Sequence, residues 1–173
     1  GTGVGGGIVL AGKIQRGAWG MAGELGHITV QPDGPVCGCG SLGCLEQYAS
    51  GTAIIRAAQA AFHQHPEGFL SRPTTAREVF DLAEQGQSDC QQAFVQAGKA
   101  LGIAISMLVN ALNLPLFVIG GGVGAALPRM QTAIMDEIRT RTFPYAAERV
   151  LVCKAKLGNE AGTAGAALSA CQS

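Results

Sequence analysis

The sequence predicts an α/β domain. Three observations carry that expectation. Strand-like and helix-like segments alternate through the second half of the chain, as they do where helices pack on a sheet. Apolar residues fill 47% of 173 positions, enough for one real core. The 26 glycines follow no collagen period, so they belong to turns, tight helix crossings and places where backbone meets a ligand.

The elements follow in order. Ile8-Val9-Leu10 and Lys13-Ile14 flank Ala11-Gly12 and read as a hairpin. Gly26 to Val30 reads as another short strand. Pro32, Asp33, Gly34, Pro35 and a Cys/Gly cluster make residues 31–44 a loop. A helix is expected to start near Cys44 or Leu45. A second follows Gly51, with Thr52 as N-cap and an Ala-rich body to about His63. Pro66, Gly68 and Pro73 turn residues 63–74 into a loop. Thr75-x-x-Glu78 is a capping box for a short helix to about Gln85. Ser88 can cap a long helix over 89–112, apolar on nearly all sides from Leu101 and therefore central and buried. Leu116–Ile119 is a strand that runs into Gly120-Gly121-Gly122-Val123-Gly124. A helix from Leu127 to about Thr142, a strand over Val150–Lys154 and a helix over 160–171 capped by Asn159 complete the pattern.

Composition narrows the function. Twelve basic and twelve acidic side chains cancel, which excludes a polybasic nucleic-acid footprint and an acidic tail. The near-apolar run from Ala100 to Leu112 contains Ser106 and Asn110 and is shorter than the ~18 residues of a membrane span. The chain opens on Gly1-Thr2-Gly3 with no signal peptide and no initiator Met, and reads as a piece of a longer protein. Six cysteines suggest disulfides, but Cys37, Cys39 and Cys44 crowd into eight residues while Cys90, Cys153 and Cys171 are scattered. A Gly-rich α/β chain of low charge is expected in the cytoplasm, where clustered thiols bind metal or do chemistry.

His27 followed by Cys37-x-Cys39-x4-Cys44 is the strongest chemical signal. One imidazole and three thiolates complete a tetrahedral zinc shell with no open position, so the ion would hold a loop and activate nothing. The same residues can also be reduced thiols beside a satisfied histidine. Glu24 and Glu46 bracket the cluster. Carboxylates accept from vicinal hydroxyls, and the outer nitrogen of His27 can donate to the same ligand, which makes a polyol site organised by zinc. Solvated helix-end charges are the equal alternative.

Gly1-Thr2-Gly3-Val4-Gly5-Gly6-Gly7 fits G-x-G-x-x-G, but a strand-like segment follows it where a dinucleotide fingerprint needs a helix. It can still present backbone N–H groups to phosphate. Gly120-x-Gly122-x-x-Ala125 is better placed, between a strand and a helix, and fits a nucleotide ring or phosphate. An oxidoreductase also fits that stretch. His63 and His65 read as solvated, and Trp19 as a partly exposed packing residue or an interface anchor. No Ser/His/Asp or Cys/His nucleophile set is left once the zinc ligands are removed.

Gly1–Gly7, Glu24-Leu25-Gly26-His27, the run Cys37-Gly38-Cys39-Gly40-Ser41-Leu42-Gly43-Cys44-Leu45-Glu46, Ile119-Gly120-Gly121-Gly122-Val123 and Gly158-Asn159-Glu160-Ala161-Gly162 together resemble the ROK family of sugar kinases and sugar-responsive repressors. The resemblance spans residues 1–173 in order. It implies an actin-like ATPase (ribonuclease-H-like) domain, this chain being the larger carboxyl-terminal lobe of a two-lobe kinase with a zinc-bound loop. Residues 157–173 would then pack on the other lobe. By motif, Gly3, Glu24, His27 and Glu46 would bind sugar, and His27, Cys37, Cys39 and Cys44 would hold zinc. Gly1, Thr2 and Gly3 would face ATP phosphates, with Gly121, Gly122 and Val123 along the adenosine. The resemblance further implies Mg²⁺ with the ATP and a homo-oligomer. The family's Asp-x-Gly-x-Thr loop and its general-base Asp have no match here, so this chain alone should be inactive. The resemblance implies a glucokinase-like transfer of the ATP γ-phosphate to the 6-hydroxyl of glucose or a close epimer such as mannose; N-acylmannosamine and N-acetylglucosamine remain open as substrates, and the effector domain of a sugar-sensing repressor is the alternative. A zinc-stabilised module without a ligand is the third reading.

Overall fold

The computed structural model describes residues 2–64 and 72–170. Gly1 and His65 lie outside the described residues, as do the side chains of His63 and Asn159 and the end of the last helix.

The hairpin forms as expected. β1 (Val9–Leu10) pairs antiparallel with β2 (Lys13–Ile14), Val9 opposite Ile14. Ala11 and Gly12 both take positive φ, +50° and +75°, the left-handed pair that a two-residue turn needs to match strand twist. The strand expected over 26–30 does not form. Leu25–His27 is a 3₁₀ turn, and only Thr29 bridges across, to Cys44. The reason is local. The amides of His27 and Ile28 turn back on the carbonyls of Glu24 and Leu25, so no ladder can use them.

α1 (Glu46–Ala49) leads directly into α2 (Gly51–Gln64). The cap of α2 is Ser50 and not Thr52. Ser50 Oγ accepts from the Ala53 amide at 3.1 Å, whereas the Thr52 hydroxyl donates to the Thr2 carbonyl. α3 (Ala76–Glu84) has the expected cap, with Thr75 Oγ1 accepting from the Glu78 amide at 3.1 Å. The Glu78 carboxylate reaches one residue further back than a standard box and accepts from the Thr74 amide at 2.7 Å.

α4 (Ser88–Leu112) is the central helix. Ser88 is its first helical residue, Gln87 holds the cap position, and no side chain caps it. It ends at Asn113, whose φ of +51° breaks the helix while its amide closes onto the Val109 carbonyl. By length and composition α4 could cross a membrane, longer than the apolar run suggested. Its burial argues for a core helix instead: Cys90, Phe94, Ala97, Ile105 and Val109 are all sealed in the interior.

α5 (Leu127–Arg141) lies along α4 and buries Met130, Ile134 and Ile138 against it. The crossing is close because two α4 positions lack a side chain. A Cβ on Gly98 would stand 2.8 Å from the Met130 carbonyl oxygen, and one on Gly102 would stand 2.7 Å from that of Ile134. Ser106 Oγ sits at this crossing, bonded to the Gly102 carbonyl of its own helix at 2.7 Å and 3.4 Å from the Glu137 carbonyl of α5. α6 (Pro144–Ala147) turns the chain toward the second strand of the sheet.

β3 (Leu116–Ile119) and β4 (Leu151–Lys154) pair in parallel, Leu116 opposite Leu151 and Ile119 opposite Lys154. α5 connects them, as a parallel pair requires. One face, with Phe117, Ile119 and Val152, packs on the core. The other leaves Leu116, Val118 and Leu151 exposed. Beside β3 a cavity of about 820 Å³ separates the sheet from the extended run Gly3–Ile8, floored by Leu101, Ile105 and Leu108 of α4. α7 (Ala161–Ala170) closes the described chain after a 3₁₀ turn over Gly158–Glu160.

Candidate functional site

The loop between the 3₁₀ turn and α1 folds on itself through backbone bonds. Cys37 donates its amide to the Ser41 carbonyl, Gly40 returns to Cys37, and Val36 bridges to Leu42. Gly43 is the point no other residue could occupy. It has φ +62°, and a Cβ would overlap the Gln31 carbonyl. This folding brings His27, Cys37, Cys39 and Cys44 together, their ligand atoms all within 4.8 Å of one another.

The edges of that cluster decide its chemistry. Cys39 Sγ lies 3.7 Å from Cys44 Sγ, and Cys37 Sγ lies 3.6 Å from His27 Nδ1. A tetrahedral ion with Zn–S near 2.3 Å and Zn–N near 2.0–2.1 Å sets sulfurs about 3.8 Å apart and sulfur from nitrogen about 3.6 Å apart. The donor set therefore fits zinc in both softness and size. Four protein ligands fill the shell, so the ion would fix the loop.

The thiols are unlike one another. A hydrogen bond from the Cys39 main-chain amide, aided by the Cys39, His27 and Cys44 side chains, holds Cys37 down at about 6 against the pull of burial. Burial, reinforced by the neighbouring sulfurs of Cys39 and Cys37, pushes Cys44 up to about 11. A bound dication overrides such differences and holds all three as thiolates. Cys90, in the core, is pushed up to about 11 by burial and the charge of Asp89, and stays an inert thiol.

With Nδ1 turned to the cluster, His27 shows Nε2 to the other side, 3.9 Å from Glu24 Oε2. Both side chains are partly open to solvent. Gly26 presses its bare Cα against the Val4 carbonyl, and the Val4 amide donates to Glu46 Oε2 at 2.9 Å. A Cβ on Gly3 would overlap that same carboxylate. Gly3, Glu24, His27 and Glu46 thus gather around one glycine-rich segment: two carboxylates as acceptors and one imidazole N–H as donor.

A second cavity, about 460 Å³, lies on the other side of this segment. Thr2, Gly122 and Val123 line it, which joins the two glycine-rich motifs in space; Gly121 faces the larger cavity. The chain after β3 does not pass directly into an α-helix. Gly122–Ala126 is a 3₁₀ turn and α5 begins only at Leu127, which departs from a dinucleotide-binding unit. Sequence reasoning missed the opposite wall, built by Thr74, Thr75, Arg77 and Phe80. The capping box locates the start of α3, but nothing in the local sequence tells which distant loop that start will face.

Comparison with known proteins adds the decisive observation. The model of the ROK family matches residues 1–173. The chain belongs to the ROK family. It is 41% identical over 172 residues to a glucokinase of Halalkalibacterium halodurans, covering 95% of this chain and 52% of that protein. A ROK family glucokinase of Streptomyces griseus, solved in complex with glucose and AMPPNP, superposes with a TM-score of 0.86 at 33% identity, over 100% of this chain and 59% of that one. A ROK family transcriptional regulator, a homologue of the E. coli MLC protein, superposes with a TM-score of 0.78 at 30% identity, over 88% of this chain and 39% of that one. The chain spans about half the length of the curated relatives it matches. Its architecture is that of an actin-like ATPase lobe of a ROK protein, with the Cys/His loop built in.

Proposed function

We propose that this chain is the lobe of an ATP-dependent hexose kinase of glucokinase type, transferring the γ-phosphoryl group to the 6-hydroxyl. The carrying observation is the grouping of Glu24, His27 and Glu46 about Gly3 and Val4, with the outer imidazole nitrogen free to donate. Glu46 accepts from sugar hydroxyls while the Val4 amide fixes one of its oxygens. Zinc on His27, Cys37, Cys39 and Cys44 orients the imidazole, as a metal orients its ligands and they in turn orient what they touch. Thr2 and Gly3, continuous with Gly1, present backbone to the phosphates, and Gly122 and Val123 border the cavity for adenosine, with Gly121 lining the larger cavity beside it. Mg²⁺ would shield the transferring group, and the general-base carboxylate would come from the half of the relatives' length that this chain does not span. Residues 157–173 would pack against that half, and the assembled protein would be a cytoplasmic homo-oligomer.

The likeness to a transcriptional regulator favours a second reading, a hexose-sensing effector domain with the same zinc loop. A coupled assay on the full-length protein separates them. The kinase reading expects glucose-dependent ATP turnover, with kcat/KM reduced about a hundredfold or more in Glu46→Gln, since a buried sugar hydroxyl loses a charged acceptor. It expects no turnover by residues 1–173 alone. Hexose binding without any turnover by the full-length protein would favour the sensor.

A further inference from the structure

Of the three sulfurs in the metal cluster, two are sealed and one is not. Cys37 is 3% exposed and Cys44 is fully buried, whereas Cys39 stands open to solvent. Cys39 sits between Gly38 and Gly40, and the space a Cβ would fill at either glycine is empty. The Cys39 sulfur is therefore both reachable and carried on the least hindered backbone of the loop. Its nearest sulfur is that of Cys44, 3.7 Å away. A disulfide needs about 2.05 Å, so closing the pair takes a movement of about 1.7 Å, which a Gly-Cys-Gly tip can supply.

We propose that Cys39 is a modification site for hydrogen peroxide, and that its oxidation, completed by Cys44, expels the metal and disarms the sugar site. The Cys39 thiolate attacks one peroxide oxygen: an S–O bond forms, the O–O bond breaks, and hydroxide leaves. Sulfur loses two electrons and the peroxide gains them. Cys44 then attacks the Cys39 sulfur, an S–S bond forms, the S–O bond breaks, and a second hydroxide leaves. Both hydroxides end as water by taking up protons from solvent. One peroxide is consumed per disulfide. The ion keeps only His27 and Cys37, too few to hold it, and departs. His27 Nδ1 is then no longer anchored, so Nε2 loses its set position beside Glu24. This regulation rests on the zinc and sugar-site reading above.

The test uses the full-length, zinc-loaded, reduced protein and hydrogen peroxide. A chromophoric chelator reads zinc release, peptide mass mapping reads the bonds, and glucose affinity is measured by calorimetry without ATP. Expected are loss of about one zinc per chain, a Cys39–Cys44 linkage two hydrogens lighter than the dithiol, loss of glucose binding, and recovery with dithiothreitol plus zinc. Among the described residues Cys153, exposed on β4, is the competing thiol, and Cys153→Ser should release zinc at an unchanged rate. Zinc retained while Cys153 alone is oxidised would overturn the proposal, and so would release without the Cys39–Cys44 bond. A protein that releases zinc in this way yet phosphorylates no hexose would sink the kinase reading and leave the oxidation site standing. A working kinase that keeps its zinc under peroxide would do the reverse.

Discussion

Two regions of this molecule are held in shape by different means. Around residues 24–50 there is almost no regular structure: one 3₁₀ turn, two isolated bridges and a four-residue helix. Backbone bonds close the loop between Val30 and Cys44 on four side chains that could hold a metal ion, while its ends, Val30, Leu45 and Ala49, are anchored in the apolar core. The α4–α5 pair is the reverse. Its interior is Phe94, Ile105, Met130, Ile134 and Ile138, and the helices touch backbone to backbone at Gly98 and Gly102. The difference shows how the chain divides labour. Apolar burial fixes the scaffold, whereas the tip of the loop, with its Cys/His cluster, would depend on an ion.

Removing the ion should therefore separate the two. A structural zinc contributes binding free energy on the order of 10 kcal/mol, and between Val30 and Cys44 the one buried side chain is Cys37, so little apolar burial replaces the ion there. Chelation should free the amides of residues 28–45 to hydrogen exchange while those of α4 and α5 remain protected. Gly43→Ala should mimic chelation, since a Cβ there collides with Gln31 and opens the loop. If the helices lost protection in the same step as the loop, the division would be wrong.

The complementary change strikes the scaffold. Gly102→Leu inserts a side chain where a single Cβ already meets Ile134 and Glu137 at 2.7 Å. Overpacking of this kind costs about 3 kcal/mol. The Tm should fall by several degrees, while zinc content, read by metal analysis of the folded protein below its Tm, stays at about one per chain. A variant that lost its zinc without unfolding would mean that the helical layer, too, shapes the metal loop.

The two regions were also legible in the sequence to different degrees, for the same physical reason. Metal ligands announce themselves by residue type and spacing, so His27, Cys37, Cys39 and Cys44 were readable without any fold, and the structure brings all four together. The helices were readable from period and caps, and α3 begins at Thr75 as the box implies. What failed was local competition. Residues 26–30 have strand-like composition, yet the His27 and Ile28 amides are taken by a 3₁₀ turn in which Gly26 lies against Val4, while Val30 donates across to the Gly43 carbonyl. Thr52 looks like a cap, but Ser50 two residues earlier is already extended and takes the bond. The wall of Thr74, Arg77 and Phe80 across from Val123 was invisible, because a contact between distant segments leaves no periodic trace.

The smallest expected effect probes whether polar chemistry matters in the scaffold at all. Glu78 is its clearest case, since its carboxylate accepts from the Thr74 amide and hydroxyl at the head of α3. The Thr74 amide, more than the hydroxyls beside it, holds the Glu78 carboxyl below the usual carboxylate range. A depressed folded value means stabilisation that is fully present above the unfolded value of about 4.3 and is lost as the pH falls through the folded one. Glu78→Gln keeps the shape and removes the charge. Its Tm should therefore lie slightly below that of the parent at pH 7, by a degree or two on the scale of an exposed cap. The gap should close as the pH drops from about 4 toward 3, where the parent has also lost its charge. A gap that held constant down to pH 3 would place the contribution in the shape of the side chain, and would leave the scaffold without an electrostatic share of its own at this cap.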